Sequence, residues 1–221
     1  SGSGSSIPYQ VVIDPVTNDA YIAGYNTGDE TWGNNSFTSS PQSTYAGFVV
    51  KYSDDGTFLW GQNTGGNQCF GTCGVYFNNI ILHPDGGVVV GGNFLNTYKK
   101  QGGAIVSGQG DWDVLLVRYD SSGLQLWTYH AGGINDDRLQ ALSVNGKGQV
   151  QFGGTHLNDM KFDSTTLVKN TTNNKYDAFI AQVDYDSDFQ WAISFGGADN
   201  DTTGALLSMP DGSIVSGGDF S

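Results

Sequence analysis

Charge is scarce in this chain: only 14% of its 221 residues are Asp, Glu, Lys or Arg, and 9 of those are basic. With a net charge of −13 there is no basic stripe to neutralise a phosphate backbone, so nucleic acid is not an expected partner. The same sign disfavours an anionic membrane surface. Long apolar runs are also missing; none approaches the ~18 residues of a bilayer-spanning helix, and no membrane insertion is expected. The opening residues, with no apolar core, are not expected to be a signal peptide. The opening SGSGSS (1–7 with Ile7) reads as a flexible linker, a scar or the start of a processed fragment. Proline is rare at 5, and cysteine is limited to Cys69 and Cys73. Glycine, by contrast, numbers 33, without the strict triplet period of collagen. Aromatics make up 13%, too many for a disordered linker, so the glycines punctuate a packed structure. Surface polarity must come from Ser, Thr, Asn and Gln, a composition common in secreted and cell-surface β proteins.

Trp60, Trp127 and Trp191 recur at spacings of 67 and 64 residues in matching surroundings. FVVKYSDDGTFLW, LLVRYDSSGLQLW and FIAQVDYDSDFQW lead up to them, and glycine pairs at 65–66, 132–133 and 196–197 follow. Such self-similarity at a fixed period is the signature of a repeat architecture. Each unit opens with an apolar run ending in turn residues: VVIDPVTND at 11–19, IILHPDG at 80–86, ALSVNGKG at 141–148 and ALLSMPDG at 205–212. A second strand follows, carrying an aligned glycine at Gly24, Gly92, Gly154 and Gly218. Glycine at a fixed strand position marks a bend or close backbone approach, here expected beside a neighbouring unit. WGNNSF, KQGGAI and FDSTTL then predict a small extra hairpin in each unit. The third strand opens on an aromatic (Tyr45, Trp112, Tyr176), and the fourth carries the tryptophan. No 3.6-residue period persists, so the chain is read as all-β.

Four antiparallel strands per unit is the pattern of a β-propeller blade. The DAF-[VI]-A-[KQ] third strand, the G-x-x-x-W fourth strand, the GG-x-x-[DN]-D loop and the PDG–GG hairpin resemble the β-propeller repeats called SBBP (seven-bladed β-propeller) repeats. The likeness runs from about residue 8 onward. It implies tandem four-stranded antiparallel blades and an extracellular or cell-surface setting, and it is nearly silent about activity. The expected units are 8–66, 75–133 and 134–197, with an insert at 67–74 and an opening hairpin at 198–221. Three units and a half do not close a propeller. The array is therefore expected to be a fragment, to pair with further copies of itself or neighbouring repeats, or to stack openly, since unpaired strand edges attract other chains.

Candidate sites follow from the departures and the loops. Cys69 and Cys73 lie in the insert as C-x-x-x-C; a local disulfide, free thiols and a metal site are the alternatives, and no further ligands support the metal. Asp184, Asp186 and Asp188 alternate as in a calcium loop but lack the required glycine and glutamate, so turn chemistry explains them. Asp136, Asp137, Asp199 and Asp201, in the loops after the glycine pairs, are weak calcium candidates, with turn capping as the alternative. Asn34, Asn170 and Asn200 head N-glycosylation sequons in expected loops. The repeated tryptophans and the aromatics Tyr45, Trp112 and Tyr176 read as inter-blade core rather than a sugar-stacking array. His83, His130 and His156 occupy unrelated repeat positions, and local sequence assembles no catalytic set.

These features point to a non-enzymatic extracellular structural or adhesive repeat protein without a cofactor, with a subunit or fragment of a glycosylated surface filament as the form expected. The alternatives are a carbohydrate- or calcium-dependent binding module and, third, a propeller-type hydrolase or lyase, whose carboxylates would have to meet in space.

Overall fold

The computed structural model describes residues 4–33, 35–37, 43–64, 73–169 and 174–221. These residues contain strands and turns but no helix, and so none long and apolar enough to cross a membrane. The expectation of an all-β chain holds.

The first sheet unit is β1 (Ser6–Ile13), β2 (Ala20–Asn26), β5 (Ser43–Tyr52) and β6 (Phe58–Asn63), an antiparallel meander. The second is β7 (Cys73–Leu82), β8 (Val88–Lys99), β9 (Ile105–Tyr119) and β10 (Gln125–Ala131), and the third is β11 (Asp137–Val144), β12 (Val150–His156), β15 (Asp177–Val183) and β16 (Phe189–Phe195). A last hairpin, β17 (Thr202–Ser208) with β18 (Ile214–Asp219), repeats the first half of a unit. A short parallel contact, Ser43 with Cys73 and Tyr45 with Gly74, joins the first two units into one sheet.

Two of the expected extra hairpins form as separate ribbons, β3 (Glu30–Trp32) with β4 (Asn35–Phe37) and β13 (Met160–Phe162) with β14 (Thr165–Leu167). In the second unit the same segment is a continuation of β8 and β9, in which Thr97–Lys99 pairs with Ile105–Ser107 across a second bulge. There the ladder simply runs on to the Gly102–Gly103 turn, where both glycines have positive φ.

The aligned glycines lie opposite a β-bulge between the first and second strands of every unit. Tyr9, Asn78, Gln140 and Gly204 are the extra residues, opposite Gly24, Gly92, Gly154 and Gly218. A Cβ at those four glycines would stand 2.1, 1.9, 1.8 and 1.8 Å from a carbonyl oxygen of the first strand. The close approach is therefore to the glycine's own unit, which corrects the expectation of a neighbour. Bulges bend the bulged strand and bring its backbone inward, and only a residue without a side chain fits beneath. It is the preceding position that faces the next unit: a Cβ at Gly91 would meet Leu139, and one at Gly153 would meet Thr203.

Strand alternation builds the core in layers. In β8 and β9, Val88, Val90, Leu115 and Val117 belong to a cluster shared with Tyr21, Ala23 and Val49 of the first unit. The intervening Val89, Val114 and Leu116 join Leu139, Phe152 and Phe179 of the third unit instead. The second unit is thus buried on both faces, which explains its nearly continuous apolar strands. Each fully buried valine, leucine or phenylalanine contributes about 1.5–3 kcal/mol. At the ends the corresponding faces are open, leaving Val11 and Ile13 on β1 and Leu207 and Val215 on the last hairpin exposed.

Candidate interaction site

Each repeated tryptophan is set by a second bulge, between the third and fourth strands. Trp60 pairs with Lys51, Trp127 with Arg118 and Trp191 with Gln182, and in each case the preceding residue is the extra one. Leu59 and Leu126, the extra residues of the first two units, are exposed. Bulges re-aim side chains in this way. The half-buried indoles face the next unit. Trp60 Nε1 donates to the Ser121 carbonyl at 2.9 Å, and Trp127 Nε1 donates to the Tyr185 carbonyl at 3.0 Å. Both acceptors sit in the turn between the third and fourth strands of the following unit.

Side chains reinforce both junctions. The Trp60 ring lies 5.9 Å from Tyr21 and 6.3 Å from Tyr119, and Gln62 Nε2 donates to the Gly123 carbonyl at 2.9 Å. At the second junction the Tyr185 ring fills a socket: His83 lies 5.6 Å away and the Arg118 guanidinium stands 4.5 Å over its face. Burial lowers the His83 pKa, keeping the imidazole neutral against the Gly148 carbonyl, 3.3 Å from Nε2. Trp191 occupies the third equivalent position. It borders a cavity of ≈600 Å³ also lined by Asn145, Lys147, Gln182, Asp211 and Gly212.

At the opposite end of the sheets the acidic loops tie consecutive units together. Asp136 and Asn200 hold equivalent places, accepting the backbone N–H of Trp112 at 3.3 Å and of Tyr176 at 3.0 Å. Asp137 accepts from the Gly133 N–H at 2.5 Å, and Asp201 from the N–H groups of Gly197 and Ser221 at 2.7 and 2.8 Å. Asp199 lies 3.6 Å from the Lys175 ammonium. The four calcium candidates are thus divided between two junctions, with oxygens turned to N–H groups and cations. Among the described residues no group of three or more His, Cys, Asp or Glu side chains converges on a metal position.

Sequence reasoning missed two further buried acids, Asp113 within β9 and Asp177 at the start of β15. They flank the glycine pairs from the other side: a Cβ on Gly132 would collide with Asp113 Oδ1, and one on Gly196 would lie 2.8 Å from Asp177 and 2.9 Å from Asp201. Burial pushes Asp137 up to about 8, with the Asp113 charge adding to the effect. Burial likewise pushes Asp113 up to about 6 against two backbone hydrogen bonds that oppose it. The signal was in the repeat columns. Where the first unit has Ala46 in place of Asp113, the second has Val75 in place of Asp137, so both acids vanish together. At that junction a Cβ on Gly47 would touch Val75 and Thr64 at 3.0 Å.

The third-strand aromatics are half-buried rather than part of the fully buried core. Trp112 lies 5.0 Å from Tyr76 and 6.3 Å from Tyr45, with the Arg138 guanidinium 4.9 Å over its ring. Arg138 in turn donates to the Tyr76 hydroxyl at 2.7 Å and pairs with Asp136 at 3.0 Å. They stand at the unit borders, where Trp112 packs between Tyr45 of the first unit and Tyr76 of its own. The tryptophans at 60 and 127 do pack against the core clusters.

One pair has the form of catalytic chemistry. His156 is buried, with Nδ1 2.7 Å from the Asn158 carbonyl and Nε2 2.7 Å from Ser194 Oγ. Burial lowers the His156 pKa, so the ring is neutral. The equivalent positions hold Asn26 and Asn63, hydrogen-bonded at 3.1 Å, and Phe94 and His130, whose rings meet edge-on at 6.1 Å. The pair is a tie between the second and fourth strands that each unit makes from different residues.

Cys69, Asn34 and Asn170 lie outside the described residues, so the disulfide and two sequons stay as the sequence left them. Cys73 Sγ stands 3.5 Å from Thr97 Oγ1. Asn200 is exposed. Asp184 caps the turn that follows it, accepting from the N–H groups of Asp186 and Asp188 at 3.1 and 2.9 Å.

No family model matches this chain. Among curated proteins it is similar to the regulatory protein FlaEY of Caulobacter vibrioides, with 27% identity over 111 residues. That stretch is 50% of this chain and 12% of FlaEY, so the chain spans a small part of its relative's length.

Proposed function

We propose that this chain is a non-enzymatic structural or adhesive repeat module, built from β-propeller-type blades of the SBBP kind and working at or beyond the cell surface. The observation that carries this reading is the repeated junction: indole to turn carbonyl at 2.9 Å between the first two units and at 3.0 Å between the next two. The polar side chains with the most constrained geometry serve to join one unit to the next. Asp137, Asp201, Asp136 and Asn200 bind backbone, and the His156–Ser194 tie has counterparts without a nucleophile in the other units. The low charge and abundant Ser, Thr and Asn suit an extracellular surface, and glycans on the sequons would add to it.

Electron microscopy of the purified chain, with intact mass, tests the assembly part, and a panel of glycoside, ester and peptide substrates tests the absence of turnover. Particles holding more than one chain with no turnover are expected. A strictly single-chain particle that hydrolyses any of these substrates would overturn the reading.

A further inference from the structure

Beyond the joining role proposed above, we infer that the cleft between the second and third units binds a carboxylate carried on an aliphatic body. The cleft holds ≈570 Å³, within the range of small-ligand pockets, and lies inside the array with a complete unit on either side. One wall is the 133–134 loop that follows β10. The other is the third unit's extra ribbon, from Asn158 through β13 and β14 to Lys169. The repeat is broken here, because in the second unit the same segment continues the β8–β9 ladder.

Hydrogen bonds fix both walls before any ligand arrives. Gly132 and Lys161 exchange two backbone bonds, at 3.2 and 2.9 Å, which dock the ribbon on the second unit. Asn158 Nδ2 donates to Asn135 Oδ1, and the Lys169 N–H donates to Asp159 Oδ1 at 2.9 Å. A Cβ on Gly133 would lie 2.2 Å from the Asp159 carbonyl oxygen, so glycine there lets the walls approach. A cleft held in this way loses little ordering entropy on binding.

The lining combines bare aliphatic surface with positive charge. Ile134 and Val168 are 75% and 63% exposed, and among large apolar side chains of the described residues only Val16 is more so. In β13, Met160 and Phe162 turn into the core, which turns Lys161 between them outward to the cleft. Among the described residues no ion pair engages the Lys161 ammonium, in a chain with 22 acidic residues. Lys169 brings a second ammonium, which also donates to the Lys175 carbonyl. Asp159 is the one acid of the lining, and its Oδ1 is engaged by the Lys169 N–H. Asp137 is buried behind Gly133 and does not line the cleft. Two ammonium groups against one carboxylate favour an anionic ligand. None of the lining residues is aromatic, so a sugar ring finds no stacking face, whereas an aliphatic chain finds Ile134 and Val168.

Hexanoate and N-acetyl-leucine, titrated separately into the whole chain, are the probes, followed by the methyl resonances of Ile134 and Val168. Saturable binding of at least one is expected, moving those signals while the exposed Val11, Ile13, Leu207 and Val215 stay still. Acetate, which lacks the aliphatic body, and 1-hexanol, which lacks the charge, should bind more weakly. Lys161→Gln should weaken binding by about threefold or more, the scale of an exposed ion pair. Asp159→Asn keeps an acceptor for the Lys169 N–H, removes the competing charge and should tighten binding. Both side chains are exposed, and an unchanged methyl spectrum of each unliganded variant verifies its fold. Tighter binding of hexanoate marks a free aliphatic acid as the ligand, and tighter binding of N-acetyl-leucine marks a peptide carboxy-terminus. No saturation by either in the millimolar range, equal binding of acetate and 1-hexanol, or indifference to Lys161→Gln would overturn the site.

Discussion

Trp127 and Tyr185, 58 residues apart, are joined by a 3.0 Å hydrogen bond from an indole nitrogen to a main-chain carbonyl. The bond crosses a unit boundary and needs no particular side chain on the acceptor. Ser121 serves Trp60 in the same way. That tolerance lets the donor column stay tryptophan while the acceptor column varies, and it fixes how consecutive sheets lie against each other.

Replacing Trp127 by Phe keeps most of the apolar contact and removes the donor. A net loss of about 1 kcal/mol is expected, rising to roughly 3 kcal/mol for Trp127→Ala, which also loses packing. Urea unfolding followed by circular dichroism measures both. Equal stability of all three proteins would mean that the bond and the ring carry no weight at this junction.

The buried acids make stability depend on pH with an unusual sign. Asp137 and Asp113 are raised to about 8 and about 6 in the folded chain, from 3.8. Between those limits the folded chain holds protons that the unfolded chain has released. Their contribution is full below about pH 4 and is lost as pH rises, by up to about 1.4 kcal/mol per pH unit per group. Asp113 ceases to add above about 6 and Asp137 above about 8. Asp137→Asn retains an acceptor for the Gly133 N–H and removes the titration. It should flatten the curve and exceed the parent in stability at pH 8, as read by unfolding at pH 5 and 8. A parent that gains stability across that interval would contradict the assignment.

Glycine substitutions separate the bulge from ordinary loops. At Gly154 an added Cβ would lie 1.8 Å from the Arg138 carbonyl oxygen, whereas at Gly146 nothing stands within 4 Å. Gly154→Ala should therefore cost about 3 kcal/mol or more, by forcing the bulged backbone apart, and Gly146→Ala should be near neutral. Thermal melts of the two variants, run together, give the contrast; similar midpoints would count against the bulge geometry.

Ser187 has φ 74°, at the position held by Gly56 and Gly123 in the equivalent turns. A left-handed conformation costs a residue with a side chain about 1 kcal/mol, so Ser187→Gly should stabilise the chain by roughly 0.5–1 kcal/mol. A drop in unfolding midpoint would indicate that the serine side chain contributes more than its backbone strain costs.

What the sequence made legible was local. Alternation of apolar residues and the turn residues of 84–86, 145–148 and 210–212 are fixed within a few positions of each other, so strands and hairpins could be read directly. What escaped depends on contacts between units. Asp113 looks like an ordinary strand opener until the following unit brings Asp137 to the other side of Gly132 and Gly133. Gly92 could be marked as a close approach, yet its direction is set by the bulge at Asn78, which leaves no mark in the spacing. The tryptophan column was visible at once, but its acceptor is a carbonyl, and carbonyls have no sequence.

The most direct test of the account is hydrogen exchange at the tryptophan indoles, followed by nuclear magnetic resonance on the assigned chain. If junctions are made by indole-to-carbonyl bonds, Trp60 and Trp127 will be protected, and Trp191, whose indole meets no carbonyl among the described residues, will exchange faster. Rapid exchange at Trp60 and Trp127, or equal protection at all three, would contradict it.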